Sequence, residues 1–235
     1  MANVAAAQTK TLFGHPLGLM NLFFTEAFER FSYYGLRAML ILYLGDAVIN
    51  HRGGLALDDK QAAGIYALYV GFVYLLALPG GWIADRLVGQ QRAVFYGAIL
   101  IAFGQFSLAL PSGGLPCACL GLVLIVLGTG LLKPNVSVIV GQLYPEGGAR
   151  RDAGFSIFYS GINLGAFIAP LPVSYVAETY NWHWGYLLCG CVMLGGAFWF
   201  RSTKHWLAGA GSAPSHSGDA ARDARIQRQI GRAHV

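Results

Sequence analysis

The sequence has little charge. Only 11% of its 235 residues are Asp, Glu, Lys or Arg, whereas about 25% are charged in an ordinary soluble domain. A compact soluble protein needs polar groups to cover its surface, so this shortage excludes most soluble classes. Hydrophobic residues make up 55% of the chain. Because about 20 apolar residues cross a bilayer as a helix, the composition predicts a helical protein that crosses a membrane several times.

The sequence also has few groups suited to metal or enzyme chemistry. Its four cysteines form two C-x-C pairs inside apolar runs, Cys117 with Cys119 and Cys189 with Cys191. Structural zinc sites use wider C-x₂₋₄-C pairs backed by further ligands. We interpret the cysteines as packing residues and predict neither a metal nor a cofactor. We expect no enzyme, because the sequence offers no activated nucleophile with a base in reach and no phosphate-binding loop.

Apolar runs bounded by charge or by Gly and Pro clusters predict six transmembrane helices. We place these spans near residues 18–44, 62–84, 93–110, 116–143, 154–177 and 182–200. The predicted fold class is all-α, a polytopic membrane protein built as a six-transmembrane-helix bundle over 18–200. Residues 1–17 would form an N-terminal segment. Residues 201–235 would form a linker or tail, because Gly, Ala, Ser and charge replace the apolar pattern there.

Basic residues are unevenly distributed among the connections. Eleven Lys and Arg residues lie in one set of connections, and two, Arg52 and Lys60, lie in the other. Basic residues are retained on the cytoplasmic side, so an even number of spans with this bias places both termini in the cytoplasm. We therefore expect a multi-pass protein of the inner (cytoplasmic) membrane, with the bilayer and not nucleic acid as its partner.

Glycines recur in two of the predicted spans. We interpret them as sites where helices pack closely, because small residues let helix backbones approach in a membrane. They are Gly64, Gly71, Gly80 and Gly81 in the second span and Gly121, Gly128 and Gly130 in the fourth.

Five ionisable residues fall inside the predicted spans. Each costs about 2.5–3.5 kcal/mol at the bilayer centre on insertion scales, so such residues usually face a cavity or a partner. At about 100° per residue, polar residues of the first helix fall within an arc of roughly 140°: Glu26, Glu29, Arg30, Tyr33, Tyr34 and Arg37. A structural ion pair between Glu26 and Arg30 would explain two of these charges and leave the others without a reason.

Depth along the helices predicts a shared cavity. At a rise of about 1.5 Å per residue, polar residues from four spans reach nearly the same level: Tyr74, Glu29, Lys133 and Asn163. Transporters bind their substrates near this midplane level. The three cations and two glutamates sum to +1, which favours a carboxylate held by Arg30, Arg37 and Lys133. We hypothesise that Glu29 pairs with Lys133 and that protonation of the glutamate releases the lysine for substrate.

The first-helix segment EAFERFSYY, from Glu26 to Tyr34, resembles the ExxERFxYY signature of the proton-dependent oligopeptide transporter family within the major facilitator superfamily. Other segments are similar to the same family. They are GGWIADRLVGQQR between helices two and three, GLLKPNVS on the fourth helix, FSIFYSGINLGAFIAPL on the fifth and NWHWG at the start of the sixth. The resemblance covers residues 23–200.

This resemblance implies symport of di- and tripeptides with protons by alternating access. It implies a proton-coupling group made of Glu26, Glu29, Arg30 and Lys133. It also implies a peptide pocket lined by Tyr33, Tyr34, Arg37, Tyr74 and Asn163. Asp85 and Arg86 would form a conformational latch. The superfamily loop prefers basic residues where this chain has Gln90 and Gln91, so we expect a weaker latch.

Members of that family have at least twelve helices in two six-helix halves, so the resemblance implies a second half beyond the N-terminal one. That half would supply an acidic residue for the peptide ammonium. The segment 229–235 resembles a translated sequencing adapter, and we expect the tail to end in a truncation artefact. Two alternatives stay open. One is a transporter of the same fold for another anion such as nitrate; the other is a non-transporting or homodimeric six-helix half-transporter.

Overall fold

The computed structural model describes residues 11–46 and 53–212. This part of the chain contains eight α-helices: α1 (Leu17–Gly45), α2 (Asp59–Leu75), α3 (Ala77–Ile83), α4 (Gln90–Leu108), α5 (Gly114–Gln142), α6 (Gly148–Ile168), α7 (Pro170–Thr179) and α8 (Trp182–Thr203). A two-stranded antiparallel pair, β1 (Thr11–Leu12) with β2 (His15–Pro16), precedes α1. A π-helical turn, Ala84–Val88, follows α3, and a 3₁₀ turn, Lys204–Leu207, follows α8.

Within the described residues these helices form six spans, as predicted. The second span joins α2, α3 and the π-helical turn, and the fifth joins α6 and α7. Proline explains both interruptions, because it lacks an N–H and clashes with the preceding turn. Pro79 follows the break at Leu76, and Pro170 begins α7. Pro134 lies inside α5 without ending it.

Close backbone contacts join the central helices. α1 lies against α6 and α8, and α4 lies along α5 and α8. A β-carbon on Gly128 would lie 2.6 Å from the carbonyl oxygen of Gly97, and Gly121 stands in the same relation to Gly104. The prediction of close packing is therefore confirmed on α5. For Gly64 and Gly71 it stays a prediction, because an added β-carbon there would meet nothing within 4 Å among the described residues.

Four spans are long and apolar enough to cross a membrane: Asp59–Val88, Gly114–Gln142, Gly148–Thr179 and Trp182–Leu207. The helix α1 is not among them, although it has 29 residues. Every 18-residue stretch of α1 contains at least three of its four charged residues, Glu26, Glu29, Arg30 and Arg37. The predicted class, an all-helical protein that crosses the membrane several times, is confirmed.

The chain after α8 folds back onto the bundle. The backbone N–H of Gln91 donates to the carbonyl of Gly211 at 2.9 Å, and the N–H of Gly211 donates to Oε1 of Gln142 at 2.6 Å. The first residues of the predicted tail therefore contact the start of α4 and the end of α5. The rest of that tail, the first ten residues and Arg52 lie outside the described residues, together with the adapter-like segment.

The strand pair is held against the connection between α5 and α6. Arg150 donates to the carbonyl of Gly14 at 2.7 and 3.0 Å, and Nδ1 of His15 lies 2.8 Å from the Tyr144 hydroxyl. Burial raises the pKa of the Tyr144 phenol above its ordinary value of 10.0. The phenol therefore keeps its proton at neutral pH and can donate to the His15 ring.

Candidate functional site

Three charged side chains meet inside the bundle on α1. Glu26, Glu29 and Arg30 are 2%, 1% and 3% exposed. Nε of Arg30 lies 2.5 Å from Oε2 of Glu29 and 3.1 Å from Oε1 of Glu26. Glu26 lies on the same side of the helix as Glu29 and Arg30, because positions three and four apart are neighbours. Arg30 directly follows Glu29 in the chain, and its side chain reaches the Glu29 carboxylate. One guanidinium therefore serves two buried carboxylates.

The same cluster keeps unused hydrogen-bonding capacity. Within the described residues, Oε2 of Glu26, Oε1 of Glu29 and Nη2 of Arg30 are buried without a hydrogen-bond partner. A buried polar atom of this kind costs free energy unless a partner or a proton satisfies it. Glu26, Glu29 and Arg30 by themselves sum to one negative charge when both carboxylates are ionised, and Lys133 is the next cation that acts on Glu26. Such a group is suited to taking up a proton.

Aromatic side chains form a wall beside the cluster. The Arg30 guanidinium lies 4.8 Å from the ring centre of Tyr33. The Tyr33 ring lies 5.3 Å from Tyr34 and 6.5 Å from Tyr69 of α2. The Tyr69 hydroxyl is buried and has no hydrogen-bond partner among the described residues. Buried tyrosine hydroxyls usually have a hydrogen-bond partner, so the Tyr69 hydroxyl is suited to bond a polar ligand or a water.

Arg37 lies two turns beyond the buried cluster and is exposed. Its Nε donates a hydrogen bond to the Tyr66 hydroxyl of α2 at 2.7 Å. That bond uses one of the five N–H donors of a guanidinium. Among the described residues the other donors have no hydrogen-bond partner, so they can bind a carboxylate in two-point geometry.

Lys133 on α5 is partly buried and faces α2. Its Nζ lies 5.2 Å from the ring centre of Tyr74, a cation–π distance. This contact brings together two of the four residues that were predicted to lie at one depth. In the described part of the chain Lys133 has no ion pair within 4.0 Å, and Glu29 pairs with Arg30. The hypothesised pair between Glu29 and Lys133 is not formed.

Asn163 lies on the exposed side of α6. The opposite side of that helix contacts α1, where a β-carbon on Gly161 would lie 2.8 Å from the Phe23 carbonyl oxygen. Asn163 is two residues from Gly161, about 200° around the helix. The asparagine therefore points away from α1 and is not in contact with the charged cluster.

The predicted latch residues do not pair with each other. Oδ1 of Asp85 accepts a hydrogen bond from Nε2 of Gln90 at 2.7 Å. The Arg86 guanidinium lies 5.5 Å from the ring centre of Trp82. Gly89, between Arg86 and Gln90 in the chain, has a φ of 82°, a backbone conformation that favours glycine. Gln90, named above as a departure from the superfamily loop, is thus the partner of the latch carboxylate.

Sequence reasoning missed two residues of this region, Tyr66 and Tyr69. Both lie on α2, three positions apart, and they contact Arg37 and Tyr33 respectively. Their i, i+3 spacing marks one face of the helix. That spacing was the available signal, but it does not say which neighbouring helix the face meets.

A family model described as PTR2, POT family, matches residues 91–222, more than half of the chain. The chain is 51% identical over 193 residues to the peptide transporter YePEPT of Yersinia enterocolitica. This match covers 82% of the chain and 37% of the relative. It is 47% identical over 199 residues to a di-/tripeptide transporter of Lactococcus lactis, covering 84% of this chain and 40% of the relative. The chain thus spans about 40% of the length of such curated relatives.

Solved structures agree with these relatives. The crystal structure of peptide transporter POT in complex with sulfate matches with a TM-score of 0.83 and 48% identity, over 96% of this chain and 46% of that one. A POT family transporter in complex with 5-aminolevulinic acid matches with a TM-score of 0.83 and 42% identity, over 95% and 45%. The six-span arrangement described above is therefore similar to part of these larger transporters.

Proposed function

The chain belongs to the POT family, and on that premise we propose that it forms the N-terminal half of a proton-coupled symporter of di- and tripeptides. Alternating access of a central pocket would carry peptide and proton together. One observation carries this proposal. Arg30 contacts both Glu26 and Glu29 in a buried cluster with unpartnered carboxylate oxygens. The names of the Yersinia and Lactococcus relatives support peptides as the substrate class.

In the proposed cycle the proton binds the cluster on α1. Glu26, Glu29, Arg30 and Lys133 form the coupling group. A proton on Glu29 removes one negative charge from a site where a single guanidinium lies within 3.1 Å of both carboxylates. With one negative charge removed, the nearby cations attract an incoming peptide carboxylate more strongly. Binding of proton and peptide is thereby linked through charge.

The proposed peptide pocket is lined by Tyr33, Tyr34, Arg37, Tyr74 and Asn163. The cations that a peptide carboxylate can reach are not the one that the glutamates already bind. Arg30 is occupied by its two glutamates, whereas Arg37 is exposed and Lys133 is partly buried without an ion pair in the described residues. We therefore assign the peptide carboxylate to Arg37 and Lys133. Asn163 would bind the amino-terminal side from α6.

A second six-helix half is the proposed partner of this bundle. The second and fifth spans are poorly buried. In an apolar 18-residue stretch, 17% is buried in the second span and 28% in the fifth, whereas 50% is buried in α5. Large apolar and aromatic side chains are exposed on these two spans, among them Leu68, Leu75, Phe167 and Leu171. Asn163 and Tyr74 lie on the same two spans, so a half covering them would close the pocket.

The proposed setting is the inner (cytoplasmic) membrane, with both termini in the cytoplasm. Residues 1–17 would be the cytoplasmic N-terminus, 18–200 the bundle and 201–235 a cytoplasmic linker. Asp85 and Arg86 then lie at the cytoplasmic face, where a latch can control opening. We propose transport without an enzymatic step or a cofactor.

Uptake by reconstituted vesicles tests the proposal. The transporter that contains this chain is placed in liposomes, an inward proton gradient is imposed, and accumulation of a labelled dipeptide is followed. We expect accumulation that collapses when the gradient is dissipated and that excess unlabelled dipeptide blocks. Block by nitrate and not by dipeptide would contradict the peptide assignment. The control is the 235-residue chain reconstituted alone. Dipeptide uptake by that chain would contradict the need for a second half.

A further inference from the structure

A cleft lies between the third and sixth spans, at the end of the bundle where α4 begins and α8 ends. Its volume is about 400 Å³. Arg92 of α4, Arg201 of α8 and Lys204 of the following 3₁₀ turn line it, with Phe95, Tyr96 and Phe200. It is separate from the charged cluster of α1, and the proposed peptide pocket uses none of its residues.

The charge of this cleft is of one sign. Its lining, within the described residues, carries three cations and no Asp or Glu. None of the three cations has an ion pair within 4.0 Å in that part of the chain. Like charges around one opening repel one another, and an anion between them relieves this repulsion. The cleft is therefore suited to an anionic group.

Backbone hydrogen bonds fix one wall of the cleft. Nε2 of Gln91 donates to the carbonyl of Ala210 at 2.6 Å, and the Gln91 N–H donates to Gly211 at 2.9 Å. Gly211 and Ser212 thereby stand beside Arg92. The folded-back chain makes this wall, so the cleft is a formed feature and not a loose surface groove.

Apolar faces extend from the cationic rim along both helices. On α4, Arg92, Tyr96 and Phe103 share one face within about 40°, and both aromatic residues are more than half exposed. On α8, Arg201, Leu194 and Phe198 share a face within about 60°, and Phe198 is 75% exposed. A ligand that fits both regions has an anionic head and long apolar chains.

We propose that this cleft binds the phosphate-bearing headgroup of an anionic phospholipid, whose acyl chains lie along the exposed faces of α4 and α8. Arginine and lysine near a bilayer surface attract anionic lipid heads. Free phosphate would satisfy the three cations equally well. The apolar faces below the rim favour the lipid over free phosphate.

Native mass spectrometry of the purified chain in detergent tests this proposal. Phosphatidylglycerol and phosphatidylcholine with the same acyl chains are titrated separately, and inorganic phosphate is added as a competitor. The triple variant Arg92→Gln/Arg201→Gln/Lys204→Gln is expected to lose at least about tenfold in apparent phosphatidylglycerol affinity. The single variant Arg151→Gln removes a cation near the same end of the bundle, is compared with Lys204→Gln, and is expected to stay within about twofold.

Three outcomes would overturn the lipid site. Phosphatidylcholine could bind as tightly as phosphatidylglycerol, Arg151→Gln could lose as much affinity as Lys204→Gln, or millimolar phosphate could displace the lipid completely. The last result would identify free phosphate as the occupant. Lys204→Gln alone guards against misfolding, because this side chain is exposed. It is expected to weaken phosphatidylglycerol by about two- to tenfold, and an unchanged affinity in this folded variant also contradicts the proposal.

Discussion

Gly165 of α6 lies directly against Arg30 of α1. A β-carbon at position 165 would stand 2.9 Å from Cβ of Arg30 and would press on the Ala27 carbonyl oxygen. Real side chains do not fit this space without movement of the helix. The backbone of α6 therefore covers one side of the buried charged cluster. This contact links the fifth span to the proposed proton site.

Gly165→Ala is expected to destabilise the protein by about 1–3 kcal/mol, because an added methyl group in a packed interior forces backbone shifts. The measurement is the melting temperature of the purified chain in detergent. Gly195→Ala is the matched control, since a β-carbon on Gly195 of α8 meets nothing within 4 Å. Equal melting temperatures of the two variants would show that α6 does not approach α1 as closely as described.

Glu29→Gln tests the proton-coupling group. The amide keeps the shape of a protonated carboxyl but cannot change charge, so proton-driven accumulation of dipeptide is expected to be lost. Exchange of peptide across the membrane without a gradient needs no net proton movement and is expected to persist. Uptake into vesicles under both conditions measures the difference. Glu178→Gln, on the exposed side of α7, controls for loss of a carboxylate. Normal proton-driven accumulation by Glu29→Gln would remove Glu29 from the mechanism.

Arg37→Gln tests the carboxylate site. Hydrogen bonds to charged groups contribute about 1.5–3 kcal/mol, so the KM for dipeptide is expected to rise about tenfold or more. Competition by a dipeptide with a C-terminal amide is the specific readout, because this ligand lacks the carboxylate and should lose less. Lys60→Gln, a cation at the start of α2, is the matched control. Equal losses for the acid and the amide would argue against a carboxylate at Arg37.

The sequence predicts the local features of this protein well. The first span was placed at 18–44, and α1 covers Leu17–Gly45. The i, i+4 spacing of Glu26 and Arg30 predicts their contact, whereas the contact between the adjacent residues Glu29 and Arg30 does not follow from spacing. The second span was predicted too short, at 62–84 against Asp59–Val88, because its polar first turn and its π-helical turn interrupt the apolar run.

Contacts between helices were harder to predict. Lys133 was expected to pair with Glu29, and in the structure its ammonium faces the Tyr74 ring. The depth estimate placed both partners at one level, but it carries no information about how each helix is rotated. The bond from Arg37 to Tyr66 was missed for the same reason. Rotation about the helix axis depends on packing, as at Gly161 against the Phe23 backbone.

Gln90→Arg tests the proposed latch. Gln90 donates to the Asp85 carboxylate at 2.7 Å, and an arginine there would add an ion pair and two-point geometry to this contact. A stronger bond stabilises the state in which the latch is formed, so turnover of dipeptide is expected to fall while equilibrium peptide binding stays unchanged. Gln90→Leu removes the donor to Asp85, so its turnover is expected to change without the fall that is expected for Gln90→Arg. Binding measured by calorimetry and turnover measured by uptake separate the two effects.

Since Gln91 contacts the folded-back chain at Ala210 and not Asp85, Gln91→Arg is the neighbouring control. The same fall in turnover for both variants would indicate a general effect of added charge and would contradict the latch.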